Sequence, residues 1–217
     1  EAMKERFNID VRTKSEVVFI DRTNKRIKVK NLDSGQVYYE SYDKLILSPG
    51  AEPIKPAIYG ADLSGVFTLR SLNDSFRIKE YIEKYQPRSA LVVGAGFIGI
   101  EMAENLHGLG LDITIAELAA QVLPPMDYEM AAFLHQHMRK KGVKLFLNQG
   151  ITQIRANVGG KNSRFICQLS SGQSLETDMV ILSIGVRPES KLAEEAGLEL
   201  GIRGSIKVDE YLRTSDP

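Results

Sequence analysis

A glycine-rich turn is the feature of the sequence with the clearest chemistry. Gly94-Ala95-Gly96-Phe97-Ile98-Gly99 follows the apolar run Leu91-Val92-Val93 and precedes a helical pattern. In such a turn Gly94 permits a tight bend, Gly96 lets the backbone approach a pyrophosphate, and Gly99 lets helix and strand pack closely. The helix N-terminus offers unpaired N–H groups and a positive dipole end to the phosphates. We predict a dinucleotide site that includes Ile98; the alternative is a glycine-rich turn without a ligand.

Glu117 determines which nicotinamide cofactor this turn is predicted to bind. It ends the next predicted strand, 18 residues after Gly99. A carboxylate there can accept hydrogen bonds from both ribose hydroxyls of NAD and would repel the 2′-phosphate of NADP. Residues 118–121 contain no Arg or Lys to hold that phosphate. The sequence therefore favours NADH over NADPH, and the alternative is a surface acid at a strand end.

Glu101 is a second acid near the turn. It follows Phe97 by four residues, so both side chains project from one side of the first helical turns. An acid at this place could orient a nicotinamide or pair with a cation from elsewhere. A solvated helix charge is an equally open alternative from the residues alone.

The other reactive residue types do not form a site. His135 and His137 are two residues apart on a predicted helix, about 200° around it, so they cannot chelate one metal ion from the same face. We interpret both as surface or satisfied core residues and predict no metal site. Cys167 lies in an alternating strand without a nearby His or CxxC and is predicted to be structural. A single cysteine is typical of a reducing compartment, so we expect a cytoplasmic location.

Composition excludes several classes of protein. The chain has 217 residues, with 28 Lys and Arg against 28 Asp and Glu, so it lacks the basic charge of a nucleic-acid binder. No apolar run reaches the roughly 18 residues of a membrane helix. The sequence begins with Glu1 instead of Met and ends at Pro217 within a Thr-Ser-Asp-Pro tail, and we expect a piece of a longer protein.

Strand and helix patterns predict how these residues are positioned. Three short strands with turn signals between them predict a β-meander at residues 16–21, 26–30 and 36–40. Arg22, Lys25, Arg26, Lys28 and Lys30 could suggest polyanion binding, but their alternation with apolar residues favours a solvated strand face. The segment 43–47, which ends in the apolar residues Leu45-Ile46-Leu47, predicts a buried strand that stops at a Pro-Gly break.

From residue 71 the pattern alternates between helix and strand. Predicted helices cover 71–85, 97–109 and 127–141, and predicted buried strands cover 89–93, 112–116, 143–147 and 179–184. This order indicates an α/β fold with a doubly wound, Rossmann-like parallel sheet, and a further β-rich stretch covers 151–175. The second helix has an apolar stripe of Ile98, Met102, Leu106 and Leu109. We expect a domain boundary near Arg70.

Three ordered motifs together resemble a known family. They are Leu45-Ile46-Leu47-Ser48-Pro49-Gly50-Ala51, the glycine turn extended through Glu104, and Ser183-Ile184-Gly185-Val186-Arg187-Pro188-Glu189. The chain resembles the pyridine nucleotide-disulfide oxidoreductases, in the branch of coenzyme A-disulfide reductase, NADH oxidase and persulfide reductase. The resemblance implies a partial FAD-binding domain at 1–69, an NAD(H)-binding domain at 70–189 and a return into the FAD domain at 190–217.

The resemblance also implies roles for individual residues. Phe97 matches an aromatic gate that covers the flavin until the nicotinamide displaces it, and Glu101 matches an acid near the nicotinamide that pairs with a Lys of the FAD domain. Glu117 matches the ribose-binding acid. Ile184 and Gly185 match a loop beside the nicotinamide ring. The implied FAD contact of this chain is the turn formed by Ser48, Pro49 and Gly50.

The resemblance implies that the family's redox-active Cys, first FAD fingerprint and flavin-side Lys would precede residue 1, and that its dimerisation domain would follow Pro217. We therefore expect a homodimeric longer protein in which NADH passes hydride to FAD and on to a Cys-based centre that reduces coenzyme A disulfide, persulfide or polysulfide. Alternatives are an NADH oxidase that reduces oxygen and a nucleotide-binding module without turnover. The 217-residue chain alone is expected to be inactive and to hold FAD poorly.

Overall fold

The computed structural model describes residues 2–158 and 163–216, which form two compact units. One unit contains residues up to Ala51 together with residues from Arg187, and the other is Glu52–Val186. The divisions therefore fall ahead of the domain boundaries that we expected near Arg70 and after residue 189. For the first division, the strand at residues 66–67 pairs within the sheet of the second unit, so the chain already belongs to that unit before Arg70. Glu1 and Pro217, the outermost residues of the predicted domain segments, lie outside the described residues.

The helices and strands are numbered in chain order. The first unit contains α1 (Ala2–Phe7), β1 (Ser15–Asp21), β2 (Arg26–Asn31), β3 (Val37–Ser41), α5 (Lys191–Glu195) and a 3-10 turn (Ile202–Gly204). The divisions between the units fall within β4 (Ala51–Pro53) and β13 (Val186–Pro188). The second unit contains β5 (Val66–Phe67), α2 (Leu72–Tyr85), β6 (Ser89–Val93), α3 (Phe97–Gly108), β7 (Asp112–Glu117), α4 (Tyr128–Lys140), β8 (Lys144–Leu147), β9 (Ile151–Ala156), β10 (Phe165–Leu169), β11 (Ser174–Thr177) and β12 (Met179–Leu182).

The first unit contains the predicted meander. Strands β1, β2 and β3 pair as neighbours in antiparallel order. Two of its basic side chains are paired within the unit: Arg22 bonds Asp216, and Arg26 bonds Asp21. The charges of these two arginines are thus balanced by carboxylates of the same unit.

The predicted buried strand at residues 43–47 is wrong. The backbone there is irregular, and Ile46 is 88% exposed. A continuous apolar run becomes a buried strand only when other strands flank it, and in the described part of the chain no strand pairs with this segment.

The second unit contains a five-stranded parallel sheet in the order β5-β12-β6-β7-β8. Alternate residues of β6 enter two separate cores. Ala90 and Val92 pack with residues of α2, α3 and α4, whereas Leu91 and Val93 pack with the antiparallel sheet β9-β10-β11. The α/β class and the parallel sheet are thereby confirmed, with helices over one face and a second sheet over the other.

The buried face of α3 differs from the predicted stripe. Gly99, Ala103 and Leu106 are buried, while Ile98 and Leu109 are exposed. Small residues let a helix approach a sheet closely, so the glycine and the alanine decide which face turns inward. This rotation matters for function because it turns the first residue of the helix toward solvent.

The two histidines of α4 and the cysteine of β10 have the surface or structural positions that we predicted for them. His135 is 5% exposed and its Nε2 accepts a hydrogen bond from the Val122 N–H at 3.1 Å, while His137 is exposed. Cys167 is buried in β10, and burial raises the pKa of its thiol to about 12. Across residues 2–158 and 163–216 there is no cluster of metal-binding side chains and no helix long and apolar enough to cross a membrane.

The burial of His135 predicts a pH-dependent stability. Burial first, and the positive charge of Arg139 second, lower the pKa of His135 below its usual value near 6.5. The unfolded chain therefore binds more protons than the folded chain once the pH falls below about 6.5, so the free energy of unfolding decreases as the pH drops through that range. Denaturant unfolding between about pH 7.5 and pH 5.5 measures it.

His135→Gln removes the titrating group and keeps an acceptor for the Val122 N–H. We expect this variant to flatten the pH dependence, whereas the matched change His137→Gln, at an exposed position two residues further on, leaves it unaltered. Equal slopes in all three proteins would contradict the assignment.

Candidate functional site

The glycine turn joins β6 to α3 and is held at Gly94 from two strands. The Gly94 N–H donates to the Ala116 carbonyl oxygen on β7 at 2.8 Å. The Gly94 carbonyl oxygen accepts a hydrogen bond from the Ser183 hydroxyl, which follows β12, at 2.9 Å. The two peptide groups on either side of the Gly94 Cα are therefore each held in a defined orientation.

Ala95, the next residue, is held in the same way. Its N–H donates to Oε2 of Glu117, and its carbonyl oxygen accepts from the Leu123 N–H at 2.8 Å. These bonds fix the turn from the loops that follow β7 and β12, which lie at the carboxyl edge of the sheet. The first N–H groups of α3 lack acceptors within the helix and are available to an anion at this edge.

Each glycine of the turn has a different structural requirement. Gly94 has φ of +96°, and a Cβ there would lie 2.4 Å from the Ser183 carbonyl oxygen; a Cβ on Gly99 would lie 2.0 Å from the Gly94 carbonyl oxygen. The predicted close approach of helix and strand is thus present. Gly96 differs, because its backbone is extended and a Cβ would meet nothing within 4 Å. The protein itself leaves open space beside Gly96, where a pyrophosphate would approach.

The Glu117 carboxylate lies beside the turn with both oxygens fixed. Oε2 accepts from the Ala95 N–H, and Oε1 accepts from the Ala119 N–H at 2.8 Å. Each carboxylate oxygen retains a lone pair for a further donor such as a ribose hydroxyl. Leu118, the next residue, is 75% exposed and carries no charge. The arrangement suits an uncharged ribose and disfavours a phosphorylated one.

Phe97 and Glu101 lie on the exposed side of α3. Phe97 is the first residue of the helix and is 65% exposed, and Glu101 is exposed one turn later. Phe97 is therefore not packed between the helix and the sheet. Ile98, between the two last glycines of the turn, is also partly exposed.

The loop after β12 lies beside the turn. A Cβ on Gly94 would lie 3.1 Å from the Ile184 Cα, and the Gly185 carbonyl oxygen accepts from the Ile54 N–H at 2.9 Å. Gly185 has φ of +124°, which favours glycine. The structure thus brings Ile184 together with the glycine turn and places Gly185 next along the same loop.

The predicted flavin turn belongs to the other unit. Ser48, Pro49 and Gly50 are exposed, Gly50 has φ of +79°, and its carbonyl oxygen accepts from the Glu189 N–H at 3.0 Å. This hydrogen bond joins the turn to the segment that follows β13.

Sequence reasoning missed Ser183 and Leu123 as partners of the turn. A hydroxyl directly after the apolar strand Met179–Leu182 was a usable signal, because ligand crevices lie outside the carboxyl ends of parallel strands. No sequence signal indicated Leu123, whose N–H reaches Ala95 across a loop and whose φ is +46°.

The described groups fit a nicotinamide dinucleotide. Open space beside Gly96, the start of α3 and the fixed Glu117 carboxylate would hold the pyrophosphate and the adenine-side ribose. For FAD the fit is partial: the exposed turn at Gly50 offers backbone groups as one contact to that cofactor.

Comparison with known proteins gives relatives along the whole chain. An NADH oxidase of Methanocaldococcus jannaschii is 39% identical over 100% of this chain and 47% of its own length. The structure of reduced CoADR-RHD of Bacillus anthracis is 50% identical with a TM-score of 0.93, covering 99% of this chain and 38% of that protein. A NAD-dependent persulfide reductase of A. fulgidus is 37% identical with a TM-score of 0.90 over the same shares.

Two similar structures contain a nicotinamide cofactor. A water-forming NADH oxidase of Lactobacillus brevis, bound to NADH, is 30% identical with a TM-score of 0.84 over 94% of this chain and 44% of that protein. Its engineered NADPH oxidase form, bound to NADPH, is 30% identical with a TM-score of 0.83 and carries substitutions that remove one aspartate and add two arginines.

This chain spans about half the length of the curated relatives that it matches. Their similarity extends over both units and over the three motifs. The family model described as pyridine nucleotide-disulphide oxidoreductase matches residues 1–217, so the chain belongs to the pyridine nucleotide-disulphide oxidoreductase family.

Proposed function

We propose that this chain is the NAD(H)-binding portion, with part of the FAD-binding portion, of an NADH-dependent flavoprotein reductase. The observation that carries the proposal is the Glu117 carboxylate, held by the Ala95 and Ala119 N–H groups directly beside the glycine turn. A carboxylate fixed there accepts ribose hydroxyls and opposes a 2′-phosphate. The substitutions in the engineered NADPH oxidase, which replace an aspartate by alanine and introduce two arginines at other positions, support the same electrostatic reasoning.

In this proposal the second unit binds NAD(H), and the first unit contributes to the binding of FAD. Gly94, Gly96 and the start of α3 orient the pyrophosphate, while Ile184 and Gly185 border the nicotinamide and Glu101 orients it. Ser48-Pro49-Gly50 contributes to the FAD site, and the first unit corresponds to parts of the FAD domain. FAD, when the longer protein binds it, supplies the two-electron acceptor for the hydride.

The electrons would pass on to a Cys-based centre that reduces coenzyme A disulfide, persulfide or polysulfide in a homodimeric, cytoplasmic protein. Similarity to a coenzyme A disulfide reductase of Staphylococcus haemolyticus, 32% identical over 217 residues, and to the persulfide reductase supports this acceptor class. A second candidate, an NADH oxidase that reduces oxygen, is favoured by the similarity to the M. jannaschii protein. NADH consumption by the FAD-loaded longer protein, measured with each acceptor in turn, separates the two and excludes a module without turnover.

The cofactor assignment is tested on the chain itself. We expect calorimetry to give a dissociation constant for NADH that is about tenfold or more below that for NADPH, because the second phosphate would face the Glu117 carboxylate. Equal affinities, or tighter binding of NADPH, would remove the assignment.

We also predict that Phe97 acts as a gate over the flavin. Its ring is exposed at the helix start, so Phe97→Ala empties no core site and should change the free energy of unfolding by less than about 1 kcal/mol. In the FAD-loaded longer protein the variant should bind NADH normally and transfer more electrons to oxygen, since an aromatic cover over the flavin is lost.

Phe133, which is 69% exposed on α4, provides the matched control. Phe133→Ala removes the same ring at a distance along the chain and should leave oxygen consumption unchanged. The gate is refuted if Phe97→Ala lowers the melting temperature strongly while oxygen consumption stays at the wild-type level.

A further inference from the structure

Ser183 connects the end of β12 to the glycine turn. Its hydroxyl lies 2.9 Å from the Gly94 carbonyl oxygen and 3.0 Å from the Val93 carbonyl oxygen, and its N–H donates to the Val93 carbonyl oxygen at 2.8 Å. Because the Val93 oxygen already accepts from this N–H, we assign the single hydroxyl hydrogen to the Gly94 oxygen. A Cβ on Gly99 would lie 2.7 Å from the Ser183 Oγ, so the hydroxyl lies against the first turn of α3. The side chain therefore occupies the junction of strand, turn and helix.

The peptide between Gly94 and Ala95 is consequently held at both ends. Its carbonyl oxygen accepts from the Ser183 hydroxyl, and its N–H donates to Oε2 of Glu117. Hydrogen bonds at the two ends of one peptide polarise it and strengthen each other. One peptide plane thus links a hydroxyl on one side of the turn to the proposed ribose-binding acid on the other.

We propose that Ser183 is a positioning residue for nicotinamide dinucleotide binding, which acts through this peptide on both the turn and Glu117. Without the hydroxyl the Gly94 carbonyl oxygen loses a donor, and rotation of the peptide moves the Ala95 N–H away from the carboxylate. The affinity for NADH and the discrimination against NADPH then fall together. This inference rests on the proposed function.

The test compares three variants of the 217-residue chain by calorimetry with NADH and NADPH and by thermal melting. Ser183→Ala should raise the dissociation constant for NADH about 3- to 10-fold, the usual effect of one hydrogen bond, and reduce the preference over NADPH. Ser183→Thr retains the hydroxyl and should stay within about twofold of the wild type. Thr177→Val removes the hydrogen bond from the Thr177 hydroxyl to the Met179 carbonyl oxygen, at 3.0 Å, at the start of β12 and therefore at the end of that strand opposite to Ser183. This variant should lower the melting temperature without weakening NADH binding.

The Thr177 variant separates a positioning role from general stability. The inference is overturned if Ser183→Ala binds NADH as the wild type does, if Ser183→Thr binds as weakly as Ser183→Ala, or if Thr177→Val weakens binding equally. If the unchanged chain does not bind NADH, that separate result contradicts the proposed function, and the inference about Ser183 fails with it.

Discussion

Gly94→Ala is expected to unfold the turn and to abolish NADH binding. The added Cβ would lie 2.4 Å from the Ser183 carbonyl oxygen and 2.7 Å from the Ser183 carbonyl carbon, and neither backbone atom can rotate away. The residue also has φ of +96°, which L side chains rarely adopt. Overpacking and backbone strain together should lower the free energy of unfolding by about 2–5 kcal/mol. Denaturant unfolding measures the loss, and calorimetry should show no binding at NADH concentrations that saturate the wild type.

Gly110→Ala isolates the contribution of the clash. Gly110 lies just after the end of α3 and has φ of +89°, yet a Cβ there would meet nothing within 4 Å. The Gly110→Ala variant should lose only the free energy of unfolding that corresponds to backbone strain, about 1–2 kcal/mol, and should keep its affinity for NADH. If both variants were equally stable, the close approach of the turn to Ser183 would not exist in solution.

Glu117→Ala should weaken NADH binding about 10- to 100-fold, the usual effect of losing hydrogen bonds to a charged group. The change removes the acceptor of the ribose hydroxyls, and it also leaves the Ala95 and Ala119 N–H groups without their carboxylate. NADPH should be affected much less, since repulsion of its phosphate disappears at the same time. Calorimetry with both cofactors measures the two changes.

Glu117→Arg extends this test by reversing the charge. The guanidinium can pair with a 2′-phosphate, so the preference for NADH should narrow or invert. Glu80→Ala, an exposed acid on α2, serves as the control and should alter neither affinity. An unchanged NADH-to-NADPH ratio in Glu117→Arg would show that the ribose lies elsewhere.

The sequence alone determined the position of the glycine turn and the strand and helix on either side of it. The glycine spacing, the apolar run before it and the acid 18 residues later are local patterns, and local patterns carry the strand-turn-helix unit. The α/β class was predictable for the same reason, because alternating helix and strand periods specify a parallel sheet. Even the structural use of Cys167 followed from its alternating strand.

Tertiary structure decided which groups support that turn and which face of the helix is buried. The contacts of Ser183 and Leu123 with the turn join residues that are distant in sequence, and the local pattern of apolar residues does not indicate such contacts. The exposed segment around Ile46 shows the same limit, because an apolar run specifies burial only together with the strands that flank it. Phe97 is exposed because Gly99 and Ala103 let α3 approach the sheet with their face inward, a packing choice made by small side chains and not by the most apolar ones.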